Sequence, residues 1–345
     1  MNSTDAPGRS RDWRSVLKPY EGGDARRSLL QFSSTLVLYL AGLAAAFVMV
    51  LGSWPYWAVL LLSLPIAGLH VRLFIIMHDC GHNAYFRNPR LSAFVGRTCA
   101  LIAFTPYYDW VRTHAVHHAT VGDLDRRGVG DVWTMTLEEY RAAPWWRRGA
   151  YRVYRNPIFL LGFGPLLLFL VVFRFPRDSV SRRSLRSVLA TDLALAAIVA
   201  VFALTIGILP YLMVMLPVLI LAGTAGVWLF FVQHQYRDVY WSRGESWDME
   251  RAALDGSSFY DLPGILRWFS GNIGYHHIHH LNPRIPNYSL RRCWREVAPL
   301  RRVQPITLWS GFRSMFLQLW DEESQTLVHW RALRALRDSG SPGMA

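Results

Sequence analysis

The sequence predicts an all-α integral membrane protein with four transmembrane helices, interfacial helices and a cytosolic cap rich in histidine. Three observations support this fold class. Of the 345 residues, 52% are hydrophobic and 14% aromatic, and the mean hydropathy of +0.15 exceeds that of an ordinary soluble domain. Four apolar runs each approach or exceed the ~20 residues that a helix needs to cross a bilayer. Most of the twelve histidines fall into three short clusters.

The four long runs form two predicted hairpins. They cover residues 29–51, 56–77, 188–209 and 211–232, with residues 52–55 and Pro210 as the two breaks. Two further runs, 91–104 and 158–173, contain only 14 and 16 residues. Runs of that length more often lie in the interface or re-enter than cross the bilayer. We therefore expect four crossings.

The basic residues predict the orientation. The formal net charge is +13, and Lys18 is the only lysine among 37 basic residues. Arginines concentrate near the N-terminus and in residues 174–186, and basic segments that flank spans face the cytoplasm. If both short runs stay on one side, four crossings place every arginine-rich segment and both termini inside. So apolar a chain is a poor candidate for a nucleic-acid-binding protein.

These observations divide the chain into six parts. They are a cytosolic N-terminal segment (1–28), a first transmembrane hairpin (29–77), a first part of the cap with interfacial helices (78–187), a second hairpin (188–232), a second part of the cap (233–337) and a flexible tail (338–345). The polar start of the chain disfavours a cleaved signal peptide. Three cysteines without a CxxC pair exclude a disulfide framework and make a thiolate zinc site improbable.

Nine histidines lie at the predicted cytosolic ends of the spans. They are His78 and His82 in the first cluster, His114, His117 and His118 in the second, His276, His279 and His280 in the third, and His234 after the fourth span. Within each cluster, spacings of three and four place the imidazoles on one face of a helix. One such pair is weak evidence, because most helical histidines are solvated or hydrogen-bonded. Three clusters on the same side predict metal ligands.

The other three histidines are predicted to be structural. His277 sits about 100° round a helix from His276, so it is expected to support the site rather than to bind metal. His70 lies inside the second span, and His329 is remote from the clusters.

The number of imidazoles indicates two metal ions. Imidazole suits zinc, copper, iron and nickel, so ligand type alone does not choose the metal. Nine ligands exceed what one ion takes, and the HExxH motif of many zinc hydrolases is absent. Two redox-active ions at a membrane surface favour oxygen activation.

The motifs HDCGH, HAVHH and HHIHH, in this order and at these intervals, resemble the three histidine boxes of membrane-bound fatty acid desaturases. The flanking segments GDLDRRGVGDVWTMTLEEY (122–140) and GNIGYHHIHHLNPRIPNYSL (271–290) resemble the bacterial acyl-lipid desaturases. The resemblance extends over most of the chain, from about residue 29 to about residue 300.

The resemblance implies a mushroom-shaped four-helix fold whose cap holds two iron ions on the nine histidines. It implies O2-dependent introduction of a cis double bond into the acyl chain of a membrane lipid or acyl thioester. It also implies a bacterial inner-membrane location with a cytoplasmic active site. Relatives that act on acyl-CoA carry an asparagine one turn before the extra histidine, where this chain has Phe230. That water-bridged ligand is therefore not expected here.

The chain contains no fused haem or flavin motif, so electrons are expected from a separate protein. An acidic ferredoxin with its reductase suits the basic chain. Anionic lipid headgroups are a competing explanation for the arginines.

Two sets of supporting residues are predicted. The aromatic residues near the clusters are candidates for lining an acyl tunnel, or else for the interfacial belt and core: Tyr107, Tyr108, Trp110, Trp133 and Tyr275. The acidic residues are candidate acceptors for imidazole N–H groups, or else surface ion-pair partners: Asp79, Asp109, Asp123, Asp125 and Asp131.

Two rival functions remain at this point. A lipid hydroxylase or ketolase uses the same histidine boxes. A metal transporter or sensor also clusters histidines, but transport sites normally lie within the spans.

Overall fold

The computed structural model describes residues 12–176 and 181–333. The predicted tail and the first eleven residues lie outside this range. Fifteen α-helices are found in the described part of the chain: α1 Trp13–Leu17, α2 Ala25–Leu51, α3 Tyr56–Gly81, α4 Pro89–Ile102, α5 Tyr107–Thr120, α6 Leu137–Ala142, α7 Trp145–Tyr154, α8 Gly164–Leu170, α9 Arg182–Thr205, α10 Ile208–His234, α11 Met249–Leu254, α12 Gly264–Phe269, α13 His276–Leu281, α14 Asn287–Glu296 and α15 Leu308–Ser314.

Short 3₁₀ turns and strands complete the described part. The 3₁₀ turns are Lys18–Tyr20, Val172–Arg174, Gly244–Ser246 and Ala298–Arg302, and one π-helical turn covers Phe159–Phe163. The strands are β1 Met135–Thr136, β2 Phe259–Tyr260, β3 Pro305–Ile306, β4 Leu319–Asp321 and β5 Thr326–Val328. β1 and β2 pair in parallel with β4 and β3 respectively, and β4 pairs antiparallel with β5. These two small sheets were not predicted from the sequence, because strands of two or three residues carry no detectable alternation.

Four helices, α2, α3, α9 and α10, are long and apolar enough to cross a membrane, which confirms the predicted fold class. The second hairpin turns earlier than expected. Its break is Ile206–Gly207, where Gly207 adopts a φ of +89°. Pro210 lies instead in the first turn of α10, where a missing N–H removes no helical hydrogen bond.

Side-chain caps define where two spans begin. Asp24 accepts a hydrogen bond from Arg27 N at the start of α2, and Ser181 accepts one from Ser184 N at the start of α9. Both helices begin several residues before the apolar runs because their first turns are polar. The two spans therefore begin before the apolar runs 29–51 and 188–209 that the sequence suggested, and α9 ends at Thr205, before the end of its run.

Helix α3 is the central span and carries the first histidine cluster at its end. In its most apolar 18-residue window, 61% of residues are buried, against 17% for α2. It packs against α2, α4 and α10. Gly42 of α2 permits close approach, because a Cβ at this position would lie 2.8 Å from Ile66 Cγ1. The tight packing fixes the end of α3 at the centre of the cap.

The two short apolar runs differ from each other. Residues 91–104 form α4, a continuous helix alongside α3. Residues 158–173 are irregular, because the π-helical turn leads into α8 and then into a 3₁₀ turn. This segment is bent by 65° from α7, so the pair forms either a broken fifth span or a re-entrant segment.

Candidate metal centre

All nine predicted histidines converge at one end of the helix bundle. Helix α3 supplies His78, and His82 follows it as the C-cap residue. Helix α5 supplies the second cluster, α13 the third, and His234 is the last residue of α10. Segments distant in sequence therefore meet because α3, α5 and α10 end at the same level.

The imidazoles form two groups in which all nitrogen ligand atoms lie within 4.8 Å of one another. We call them group A and group B. Group A contains His78, His82, His114, His118 and His279, and group B contains His117, His234, His276 and His280. Group B is fully buried, whereas three members of group A are only half-buried.

The helical repeat explains the division. Residues four apart share a face, so His114 and His118 enter group A together and His276 and His280 enter group B together. The third member of each cluster, one residue away, turns by about 100° toward the other group. His117 thus joins group B and His279 joins group A.

Asp79 orients the first cluster. Its Oδ1 lies 3.1 Å from His78 Nδ1, and its Oδ2 accepts hydrogen bonds from the backbone N and side-chain Nδ2 of Asn287 at 2.7 and 2.9 Å. The carboxylate is buried. It thereby holds His78 and ties α3 to α14.

Asp131 orients the second cluster. Its Oδ1 lies 2.6 Å from His117 Nδ1. The loop reaches this position because Gly130 adopts a φ of +75° and would, with a Cβ, crowd His117 Cβ at 3.3 Å. The sequence placed Asp131 among the candidate acceptors but did not identify Gly130 or Asn287, although both lie in the segments that carry the family resemblance.

The other three candidate acidic residues serve elsewhere. Asp109 faces Arg112 at 3.5 Å, Asp123 accepts hydrogen bonds from the backbone of the following turn, and Asp125 pairs with Arg243 at 2.6 Å. Asp125 matches the alternative interpretation of a surface ion pair, whereas Asp109 and Asp123 are buried and lie close to Arg112 and Arg126.

Group B has a feature that suits a bound cation. Asp131 fixes the proton of His117 on Nδ1, and the Gly256 carbonyl, 3.2 Å from His234 Nδ1, fixes that of His234. The two Nε2 atoms therefore both present lone pairs, yet they lie 3.2 Å apart. Lone pairs at this distance repel each other unless a positive charge, either a metal ion or a shared proton, lies between them.

The nitrogen spacings also suit metal ligands. His234 Nε2 lies 2.9 Å from His276 Nε2, and His279 Nε2 lies 2.9 Å from His118 Nε2. Adjacent ligands on an ion with bonds of ~2.1 Å are about 3 Å apart. The residues present therefore fit metal ions in both groups.

Burial keeps the imidazoles neutral. Desolvation, followed by neighbouring imidazoles, holds the pKa of His114, His118, His279 and His280 well below the ordinary histidine value. Because only unprotonated imidazole binds a metal, the centre is prepared for binding at neutral pH.

Phe230 lies against group B. Its ring centroid is 5.2 Å from that of His117 and 5.3 Å from that of His234. The side chain offers no ligand atom, in keeping with the expectation that this position contributes none.

A cavity of about 390 Å³ leads to both groups. It runs along α3 from His78 to His70, which is about 12 Å of helix, and α10 and the bent segment 159–173 form its other walls. His78, His114 and His276 lie at its metal-centre end, and the remaining lining is mostly apolar. A cavity of this kind suits a narrow hydrocarbon chain.

Only one of the five aromatic candidates lines this cavity. Trp110 does so and stacks on His114 at 4.4 Å between centroids. Tyr107 packs over Gly96, Tyr108 lies under Arg183, Trp133 packs against Tyr151, and Tyr275 stacks on Phe259. These four match the alternative interpretation of packing in the core or interfacial belt, because proximity in sequence to a histidine cluster does not fix side-chain direction. The walls come instead from the apolar faces of α3 and α10.

The three remaining histidines lie outside both groups, as expected. His277 is buried beside the carbonyl groups of Ser258 and Leu300. His70 Nδ1 lies 3.2 Å from the Tyr39 hydroxyl. His329 Nδ1 accepts a hydrogen bond from Arg331 N.

Comparison with known proteins identifies the family. Residues 52–312 match the family model described as fatty acid desaturase. A fatty acid desaturase of Bacillus subtilis is 38% identical over 319 residues, which cover 92% of this chain and 90% of the relative. The chain belongs to the fatty acid desaturase family. This desaturase is accordingly an oxidoreductase that introduces a double bond into a fatty acyl chain, as the sequence predicted.

More distant relatives bear more specific names. A Synechocystis protein named sn-1 acyl-lipid omega-3 desaturase (ferredoxin) is 26% identical, with 70% of this chain and 68% of the relative covered. A Picosynechococcus sn-1 oleoyl-lipid 12-desaturase is 25% identical, with 65% and 64% covered. Because these names differ in double-bond position, they do not fix that of this desaturase.

Proposed function

We propose that the nine histidines of groups A and B bind two iron ions, and that the desaturase uses O2 to form a cis double bond in an acyl chain of a membrane lipid. The observation that carries the metal assignment is the facing pair of lone pairs on His117 and His234. Iron is the metal proposed because the family is one of oxidative enzymes and imidazole is an acceptable iron ligand.

In this reaction the bound iron would supply the oxidation, and the protein holds the metal ligands and the substrate in position. When bound, the two iron ions would supply the O2-dependent oxidation that removes two hydrogens from neighbouring methylenes. Together with two electrons from a separate carrier and two protons from solvent, these hydrogens would balance the reduction of O2 to two waters. The protein holds the ligands in their binding tautomers, since Asp79 and Asp131 each accept the Nδ1 proton of a histidine.

The cavity positions the substrate. Its apolar walls exclude water and keep the chain extended along α3, so that one pair of methylenes lies beside His78, His114 and His276. Holding an unactivated chain in one register is the main contribution that a protein can make to such a reaction.

We further propose that electrons come from a separate acidic carrier of the ferredoxin class, and that the metal centre faces the cytoplasm of a bacterial cell. The carrier is supported by the net charge of +13 and by two relatives named as ferredoxin desaturases. The orientation is supported by the arginine-rich segments on the same side as the centre. The acyl-lipid substrate is supported by the names of the cyanobacterial relatives.

Expression in a bacterial host without desaturases tests the proposal. Mass spectrometry of its lipids should find acyl chains lighter by about two mass units, attached to intact lipids, together with a ferredoxin requirement in membranes. Reduction by ferredoxin should slow as salt is added. Saturated lipids in cells whose purified desaturase holds two irons would contradict the proposed substrate, and a reduction rate indifferent to salt would contradict charge-guided docking.

A further inference from the structure

The cavity of about 390 Å³ beside the metal centre is called the acyl cavity from here on. A second pocket, of about 400 Å³, lies on the other side of the third histidine cluster. Tyr275, the residue before His276, lines this pocket, whereas Ile273 and His276 line the acyl cavity. The pocket is therefore outside the metal centre and has no part in the mechanism above.

The pocket is strongly basic. Its lining contains one carboxylate, that of Asp261, and four arginines: Arg267, Arg291, Arg295 and Arg301. Asp261 pairs with Arg267 at 2.9 Å. Among the described residues, no carboxylate oxygen lies within 4.0 Å of the other three guanidinium groups. Three charges thus converge without compensation from residues 12–176 and 181–333.

An orphaned donor supports a ligand site. Trp294 lines the pocket, and its Nε1 is buried without a hydrogen-bond acceptor among the described residues. An indole N–H left unpaired inside a protein costs free energy, which an anionic oxygen would recover. The charge and the unpaired donor both point to an oxyanion such as a phosphate.

The pocket lies at the level of the membrane surface. Arg267 belongs to α12, whose Ile265 is 68% exposed although apolar. Pro305, on the opposite side, precedes α15, whose Trp309 is 61% exposed. Exposed aliphatic and aromatic side chains on short helices beside the spans are typical of segments that lie in the interface.

Contacts with α3 support the same depth. Phe269 of α12 packs over Gly68, and the Trp268 ring lies 4.2 Å from the guanidinium carbon of Arg72. Arg72 is six residues before His78, so α12 lies about two helical turns below the metal centre, toward the apolar half of the span. The α12 side of the pocket therefore lies at the depth of the membrane interface, below the metal centre.

We propose that this pocket binds the phosphate of an anionic membrane phospholipid. The arginines receive the phosphate oxygens, a small rotation of the Trp294 ring brings its buried Nε1 to one of them, and the acyl chains lie against α12 and α15. An acidic protein is a poorer occupant, because it would have to cover the exposed apolar side chains of both helices. The proposal rests on membrane placement and does not depend on the metal or on the electron carrier.

Native mass spectrometry of the full-length, metal-loaded desaturase in detergent tests this site. Dioleoylphosphatidylglycerol should bind more tightly than dioleoylphosphatidylcholine. The variant Arg291→Gln/Arg295→Gln/Arg301→Gln should bind phosphatidylglycerol roughly a hundredfold more weakly, at roughly fivefold per arginine. The matched control Arg90→Gln/Arg97→Gln/Arg147→Gln removes the same charge from exposed arginines elsewhere and should bind like the unaltered protein. Trp294→Phe keeps an aromatic ring but removes the N–H donor, and it should weaken binding about tenfold. Because it changes a single residue, it tests the site even if the triple variant does not fold.

Three results would overturn the proposal. Equal losses in the pocket and control variants would mean that binding follows overall charge. Equal binding of soluble glycerol 3-phosphate would mean that the site takes a free phosphate and not a lipid. Unchanged phosphatidylglycerol binding in both pocket variants, with loss of the salt dependence of ferredoxin reduction, would assign the pocket to the electron carrier instead. An unchanged iron content in the pocket variants separates all three from failure of the metal assignment.

Discussion

The carboxylate of Asp79 accepts two hydrogen bonds from Asn287, one from its backbone N at 2.7 Å and one from its side-chain Nδ2 at 2.9 Å. This contact links two segments that are 208 residues apart. Since the other oxygen of Asp79 lies 3.1 Å from His78 Nδ1, Asn287 positions a group A histidine without touching the centre itself.

Asn287→Ala should weaken metal binding in group A. The loss of the amide donor frees Asp79 to rotate, and loss of such support typically costs 10- to 100-fold in metal affinity, so about tenfold is expected for this indirect contact. Iron retained after dialysis against a chelator measures the effect. Asn156→Ala, which alters an exposed asparagine at a helix end, is the control. If both variants retain the same amount of iron, Asn287 does not support metal binding.

Asp131→Asn should weaken group B. An amide in place of the carboxylate no longer fixes the His117 proton on Nδ1, so its Nε2 lone pair is partly lost to the other tautomer. We expect a 10- to 100-fold (about 1.4–2.7 kcal/mol) loss of metal affinity. Asp125→Asn removes a charge that, within the described part of the chain, accepts hydrogen bonds from the exposed Arg243 and Gly244, and it should retain the metal. Equal affinities in titrations of the two variants would contradict the role of Asp131.

Gly226→Leu should shorten the acyl chains that the desaturase accepts. Gly226 lines the acyl cavity, and no atom lies within 4 Å of a Cβ built there, so a leucine side chain starts in open space and takes up cavity volume. Gly162→Leu also meets no neighbour but lies outside the cavity lining, and it should leave the chain-length profile unchanged. The profile is read by gas chromatography of lipids from cells fed chains of graded length. The same profile in both variants would refute the cavity assignment.

His277 should make the desaturase sensitive to mild acid. Burial lowers the pKa of His277 from 6.5 to about 4, despite two nearby carbonyl groups that raise it. Above pH 6.5 neither state is protonated and the stability is complete. Between pH 6.5 and about 4, the unfolded chain takes up a proton that the folded protein refuses, so the free energy of unfolding falls by about 1.4 kcal/mol per pH unit.

Thermal denaturation of the metal-loaded protein at several pH values tests this linkage. The melting temperature of His277→Gln should fall less between pH 6.5 and pH 5 than that of the unaltered protein. His329→Gln, at a less buried site, should keep the original dependence. Parallel curves for the His277 variant and the unaltered protein would show that its burial is not linked to stability.

Apolar length and histidine spacing were sufficient to predict the four spans and the convergence of nine imidazoles. Both properties depend on local periodicity, which the sequence displays directly. The division into groups A and B follows from the same periodicity, but it needs the relative positions of α3, α5, α10 and α13, which depend on packing between distant segments.

The supporting residues were harder to predict for the same reason. Asp79 and Asp131 could not be told from Asp123 and Asp125 by sequence, because the direction of a carboxylate depends on the turn that carries it. Asn287 and Gly130 act only through contacts formed in the folded cap. The acyl cavity arises from α3, α10 and the bent segment 159–173, and the irregular π and 3₁₀ turns of that segment leave no periodic signal.

The iron content per chain tests whether groups A and B form a two-iron centre. Inductively coupled plasma mass spectrometry of the purified full-length desaturase, compared with its His279→Ala and His277→Ala variants, gives this ratio. We expect two irons per chain in the unaltered protein and in His277→Ala, and a loss of iron together with loss of double-bond formation in His279→Ala. Two irons and continued desaturation in His279→Ala would contradict the assignment of groups A and B as the metal centre.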